Sequence, residues 1–192
     1  ALYWFIQASR FGRYSGSSAS SLDEDLRDIN ESKTLPDAIE KLIKRFRVEE
    51  PLTKEDFIKD YTDGRFGRFI LYLLIYRNKA HDWGDDVNRI GFEGIDALAS
   101  FQPQWHHIFP KKYIDTDESN SLVDALANIA VIGPKINIRI NAKSPLDYVT
   151  KYKITEEKLE QQFIDKSFTQ VSKAQYQEWV NERAERLAKE LG

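Results

Sequence analysis

Apolar positions recur at helical spacing through the first eighty residues. Ile39, Leu42, Ile43 and Phe46 form one stripe behind Pro36, the pattern of a helix with one buried face. Ser21 with Glu24 makes a capping-box pattern, a hydroxyl and a carboxylate placed to satisfy the free amides of a helix start. Thr53 and Asp56 open another helix, expected to run to Tyr61, and Asp63-Gly64 signals the turn after it. A long apolar helix follows over 65–80.

Beyond Gly84 the texture changes. Gly91, Gly94, Pro103, Pro110 and Gly133-Pro134 cut the chain into short pieces. Strand-like runs occupy 104–109 and 128–132, and the polar stretch 115–121 between them suits a loop. Ile136, Ile138 and Ile140 alternate as in a strand, yet a short helix over 135–141 fits as well, and periodicity leaves both open. Ser144-Pro145-Leu146-Asp147 is a helix start with proline at the first helical position. Two further helices are expected from Thr155 and from Ser172, the latter capped with Gln175. The expected architecture is α+β and mainly α-helical: a helical region over 1–84, a β-containing element over 85–153, and C-terminal helices over 154–192.

Composition narrows the classes. At 192 residues, 41% hydrophobic and 31% charged, the chain is long enough for a proper core and too apolar for disorder. It has no cysteine, so disulfides and thiolate metal sites are excluded, which fits a cytoplasmic location. It opens on Ala1 and has no methionine, so a piece of something longer is expected. The most apolar run, 69–76, is far short of the roughly 20 residues of a membrane span, and no membrane partner is expected. The net charge of −3 is unlike a free-standing nucleic-acid binder. Its distribution is not: over 130–153, Lys135, Arg139, Lys143, Lys151 and Lys153 face Asp147 alone, a local excess that could track phosphates or simply be solvated.

Candidate chemistry gathers in the middle. Two of the three histidines are adjacent, in Trp105-His106-His107-Ile108-Phe109-Pro110. Asn128 opens the apolar run 129–132, Asn137 follows nine residues later, and Asn141 comes one helical turn after that. His81, beside Asp82 at a helix end, reads as structural, and Trp105 and Tyr113 read as packing.

His-His-Ile-Phe-Pro, Leu-Ala-Asn-Ile-Ala-Val-Ile, Asn137 and Lys-Ser-Pro-Leu-Asp-Tyr together resemble an HNH endonuclease, also called a ββα-metal or His-Me finger. They look most like the nuclease domain at the C-terminal end of GmrSD-type proteins, which restrict modified foreign DNA. The motifs span about 104–149. The preceding helices, with Leu2-Tyr3-Trp4 and Arg13-Tyr14-Ser15, look like the helical region of those proteins. The resemblance implies a ββα-metal insert in which His106 and Asn137 ligate a divalent ion, Mg²⁺ or Mn²⁺. It implies that His107 is the general base and that Asn128 holds the adjoining loop and orients His107 through side-chain to backbone bonds. Many relatives carry histidine where this chain has Asn137, and members with asparagine are active. DNA is the implied substrate, with Lys135, Arg139 and Lys143 as candidate phosphate contacts and Lys111 and Asn141 as further possible site residues. A nucleotide-handling domain is implied upstream of this chain; an oligomer is left open.

The residue types suit that chemistry. A cation neutralises the phosphate and holds the leaving oxygen, and a neutral imidazole can accept a proton from water. With one imidazole and one amide as ligands, Mg²⁺ should bind weakly without DNA; tight binding would require a missed carboxylate such as Asp124. One geometric difficulty stands out. Neighbours in a regular strand point to opposite faces, so His106 and His107 serve one site only if the strand bends or ends there, as Pro110 allows. The rival class is a non-catalytic DNA-binding or subunit-docking module with a decayed site. An NTP hydrolase is disfavoured by the absence of a G-x-x-x-x-G-K-[ST] loop.

Overall fold

The computed structural model describes residues 2–16, 18–46, 51–63, 65–84, 89–91, 103–114 and 122–191. The chain divides into two compact units, Ala1–Pro51 and Leu52–Gly192. Among the described residues it is mainly helical, with one two-stranded antiparallel sheet. No described helix is long and apolar enough to cross a membrane.

The first unit holds α1 (Leu2–Arg10), α2 (Ser18–Asn30) and α3 (Leu35–Lys44). Thr34 caps α3 by accepting the Asp37 amide, with Pro36 in its first turn, and Ala38 and Leu42 face the core. Helix α2 begins at Ser18, so Ser21 lies inside it and not at its cap. Asp25 is buried and gathers Arg13, Tyr14 and Arg45 around its carboxylate. Burial works to raise its pKa, but the bonds from Arg13 and Tyr14 outweigh that and hold it below the ordinary value.

The second unit carries the rest. Helix α4 (Lys54–Ile58) opens at Thr53, whose amide donates to the Asp56 carboxylate at 3.0 Å. It stops three residues short of Tyr61 because the backbone there turns to another partner: Leu126 N donates to Lys59 O at 2.9 Å and Tyr61 N to Asp124 O at 2.8 Å. Helix α5 (Phe66–Arg77) buries Ile70, Leu71, Leu74 and Ile75. Strand β1 (Gln104–His107) pairs antiparallel with β2 (Ile129–Ile132), His106 opposite Ala130 and His107 opposite Ile129. Between them lie a helical turn, α6 (Lys111–Ile114), and 3₁₀ turns at 122–124 and 126–128.

All four residues of β2 are buried, and β2 runs through Gly133 into α7 (Pro134–Ile140). Ile136 and Ile140 are buried while Ile138 is 78% exposed, which decides for the helix that the alternating isoleucines had left open. Ser144 caps α8 (Pro145–Tyr152), and Thr155 caps α9 (Glu156–Glu160). The last helix, α10 (Tyr176–Lys189), starts four residues after Ser172, whose hydroxyl bonds Gln175 at 2.7 Å. It packs on α4 and on the turn before β2. Helices α4 and α5 thus belong with the strands, and the boundaries expected near 84 and 153 fall inside this second unit. The loop expected over 115–121, like Gly64 and Gly94, lies outside the described residues.

Candidate active site

His106 and His107 close strand β1, and the pleat sends them into different surroundings. His106 is 4% exposed. The rings of Trp83 and Tyr148 stand edge-on to it, with centroids 5.8 and 5.7 Å away. Tyr148 is itself fixed, its hydroxyl donating to Ile108 O at 2.9 Å. Among the described residues, the one polar contact to the imidazole is Nδ1 to Asn137 Oδ1, 2.9 Å, reaching across from the first turns of α7. An amide oxygen only accepts, so Nδ1 carries the proton and Nε2 the lone pair. That Nε2 is buried without a partner. Burial pushes the His106 pKa down to about 4, against the opposing bond to Asn137 and with a further lowering from His107. The ring is therefore neutral at physiological pH.

His107 is less enclosed, its side chain 19% exposed. Its Nε2 lies 2.8 Å from Asp124 Oδ1, and the other carboxylate oxygen receives Lys111 Nζ at 2.6 Å. Burial works to raise the Asp124 pKa, but the hydrogen bonds from Lys111 and His107 outweigh it and hold the carboxyl below its ordinary value. The Tyr61 ring stands edge-on to His107 at 5.4 Å, and the Tyr61 amide holds the Asp124 carbonyl. Nδ1 of His107 has no hydrogen-bond partner among the described residues.

Asn128, fully buried, ties the two approaches together. Its Oδ1 accepts from Phe109 N at 3.0 Å, and its Nδ2 donates to Phe109 O at 3.1 Å and Val123 O at 2.7 Å. Its own carbonyl accepts from Ile108 N at 2.8 Å. One side chain thus links the segment after His107 to the residue before Asp124.

Behind this loop lies a support that the sequence did not single out. Arg183 of α10, fully buried, donates to the carbonyls of Ala127 (2.6 Å), Ile129 (2.9 Å) and Gln162 (2.9 Å), bracketing Asn128. Burial, helped by Arg186, lowers its pKa to about 9, which leaves it a cation at neutral pH. Gln162 completes the free edge of β2, bonding Val131 N at 2.8 Å and Val131 O at 2.7 Å. Buried Asp82 accepts the Gly133 amide at 2.7 Å, at the entrance to α7.

The remaining candidates separate. Asn141 caps the end of α7 with φ of 52° and is exposed, its amide donating to Asn137 O at 3.1 Å. Lys135 and Arg139 are exposed on α7 and make no ion pair among the described residues. Lys143 Nζ instead donates to Arg139 O at 2.8 Å and Ile140 O at 3.2 Å, neutralising the carbonyl end of α7. Lys143, Leu146, Asp147, Thr150 and Lys151 line an open groove of about 590 Å³ whose lining includes neither histidine. His81 bonds Gln161 through its backbone amide and Nδ1, Trp105 lies under Arg68, and Tyr113 lies under Lys173. Among the described residues, no three His, Cys, Asp or Glu side chains gather as a metal site.

The chain is 26% identical over 147 residues to an uncharacterized protein of Methanocaldococcus jannaschii, covering 76% of this chain and 24% of that protein. It therefore spans about a quarter of the length of this relative. No family model matches the chain. No solved structure matches it either.

Proposed function

We propose that this chain is an HNH-type, metal-dependent endonuclease that hydrolyses phosphodiester bonds in DNA, the nuclease part of a modification-dependent restriction protein acting in the cytoplasm. One observation carries the reading. An antiparallel strand pair leads directly into a short helix, and that helix brings Asn137 to 2.9 Å from His106, beside a second histidine at the strand end. A strand pair followed by a helix supports, on our reading, the ββα arrangement that the His-His and asparagine motifs imply.

The donor pair suits a divalent ion. An imidazole nitrogen and an amide oxygen are both donors such an ion would accept, and the 2.9 Å hydrogen bond between His106 Nδ1 and Asn137 Oδ1 holds them side by side. Nδ1 would be the ligating atom, because Nε2 is sealed in the core. To ligate, the ring would have to carry its proton on Nε2, where no acceptor meets it among the described residues, and lose the bond from Nδ1 to Asn137, which adds to the weakness of a shell without a carboxylate. Such an ion would neutralise the scissile phosphate and stabilise the charge on the departing oxygen.

The residues of the chain supply the rest. His107 takes one proton from water at Nδ1, the nitrogen without a partner among the described residues. The water oxygen bonds phosphorus, and the leaving oxygen departs with the bonding pair and gains a proton from solvent. Asn128 holds the backbone on both sides of this step. Lys135 and Arg139 offer cations to the phosphate backbone.

A supercoiled plasmid with Mg²⁺ or Mn²⁺ at low salt tests the reading. Nicking that stops with chelator, needs no nucleotide and is nearly equal on modified and unmodified DNA is the expected result. Binding without nicking under every metal would mark a non-catalytic DNA-binding module and overturn the proposal.

A further inference from the structure

We propose that Asp124 is a positioning residue that fixes the tautomer of His107, and that Lys111 sets which way the group at position 124 faces. The inference rests on the reading of His107 as the base that activates water. An ionised carboxylate accepts and cannot donate, so the 2.8 Å contact from Asp124 Oδ1 places the ring proton on Nε2 of His107. The lone pair is left on Nδ1, the nitrogen without a partner among the described residues. Once Nδ1 has gained a proton, the same carboxylate faces the resulting imidazolium.

Lys111 holds the carboxylate, and two further contacts hold the backbone beside it. Lys111 Nζ takes its second oxygen at 2.6 Å. The Tyr61 amide fixes its backbone carbonyl at 2.8 Å, and the Tyr61 ring stands edge-on to the imidazole at 5.4 Å. Asn128 grips Val123, the preceding residue, at 2.7 Å. Asp124 therefore stands on the His107 side of the strand and does not join His106 and Asn137.

Lys111 gives the proposal a sharp consequence. In Asp124→Asn the amide has one oxygen and one nitrogen to divide between an ammonium and an imidazole. An ammonium has no acceptor, so it takes the oxygen, and the amide NH₂ turns to Nε2 of His107. Nε2 must then accept, the ring proton moves to Nδ1, and the base is blocked. In Asp124→Ala the ring merely chooses freely. Asparagine should thus be worse than alanine, the reverse of what a packing or stability role gives.

The test is ¹⁵N NMR of histidine-labelled protein, simple with three histidines in the chain, alongside plasmid nicking and thermal unfolding. The expected wild-type spectrum has His107 protonated at Nε2. Asp124→Asn should invert it and lose rate toward the roughly 10²–10⁴-fold of removing a general base, with DNA affinity unchanged. Asp124→Ala should lose less, and Lys111→Met added to Asp124→Asn should undo the inversion. A wild-type ring protonated at Nδ1, or an asparagine variant that cuts as fast as the alanine one, overturns the inference. If Asp124→Asn fails to fold, the wild-type spectrum alone decides. The spectra need neither DNA nor metal, so the expected tautomers in a chain that cuts nothing would sink the nuclease reading while upholding the placement of Asp124.

Discussion

His106 and His107 are neighbours in the chain and opposites in surroundings. His106 is sealed between Trp83 and Tyr148 with a single amide for company, and burial keeps it neutral. His107 faces an ionised carboxylate backed by a lysine and keeps one nitrogen free. The alternation of a strand makes the difference: one residue's step changes the face, and the face decides the chemistry. A neutral ring held beside an amide oxygen suits a ligand once Nδ1 sheds its proton, whereas a ring with a carboxylate behind it suits a proton acceptor. The strand ends at His107, so the two faces can still border one substrate.

The comparison is most directly broken at His107. His107→Ala should reduce nicking by roughly 10²–10⁴-fold, with DNA affinity and thermal stability nearly intact, since the side chain is partly exposed and its partners keep each other. Steady-state rates beside a binding titration check this. A variant that cuts like the parent would remove His107 from the chemistry and with it the contrast.

Asn128 sharpens the comparison, because it supports the His107 side without touching either ring. Asn128→Ala removes the bonds that Asn128 makes to the Phe109 amide and to the Phe109 and Val123 carbonyls in the core. At roughly 1–3 kcal/mol for each buried group left unsatisfied, and with some of them relaxing, about 3 kcal/mol of stability should be lost in denaturant unfolding. A loss below about 1 kcal/mol would mean that the loop stands without it. Asn137→Ala acts on the other side. Nicking should fall and be partly rescued by raising the metal, with metal affinity lowered at least as much as the roughly 10–100-fold seen for outer-shell partners. Asn141→Ala should do less, and the reverse order would move the ligand to the end of α7.

Much of one side was legible in the sequence and little of the other. The nine-residue step from Asn128 to Asn137 spans a strand and the first turns of a helix, so local geometry carries Asn137 to its place. Ile136 and Ile140 on one face of α7 could be read only after Ile138 was seen in solvent, because alternation and helical spacing overlap in so short a run. The surroundings of His107 come from far along the chain. Tyr61 arrives through the pairing of 59–61 with 124–126, which also cut α4 short of its expected end. Trp83 and Arg183 likewise reach the site through tertiary packing, and neither stands in a motif. In the sequence Asp124 offers itself only as an extra metal ligand, whereas in the structure its carboxylate meets His107 and Lys111. An arginine in the middle of an amphipathic helix gives no sign that it will be buried on three carbonyls.

The smallest expected effect concerns the outer face of α7. Lys135 and Arg139 are exposed there without ion pairs among the described residues, while Lys143 is occupied with the carbonyls that end the helix. Cations that neutralise phosphates release counterions, so each lost contact should lower the slope of log affinity against log salt by about 0.9. Lys135→Ala and Arg139→Ala should each do so, with little change in the rate at saturating DNA. Lys143→Ala should leave the slope nearly unchanged and instead lower stability by roughly 0.3–1 kcal/mol, as loss of a cation at a helix end does. Binding titrations from low to moderate salt separate the three. If Lys143 carries the larger slope change, the phosphate path follows the groove lined by Lys143 and Lys151, and the exposed cations of α7 are merely solvated.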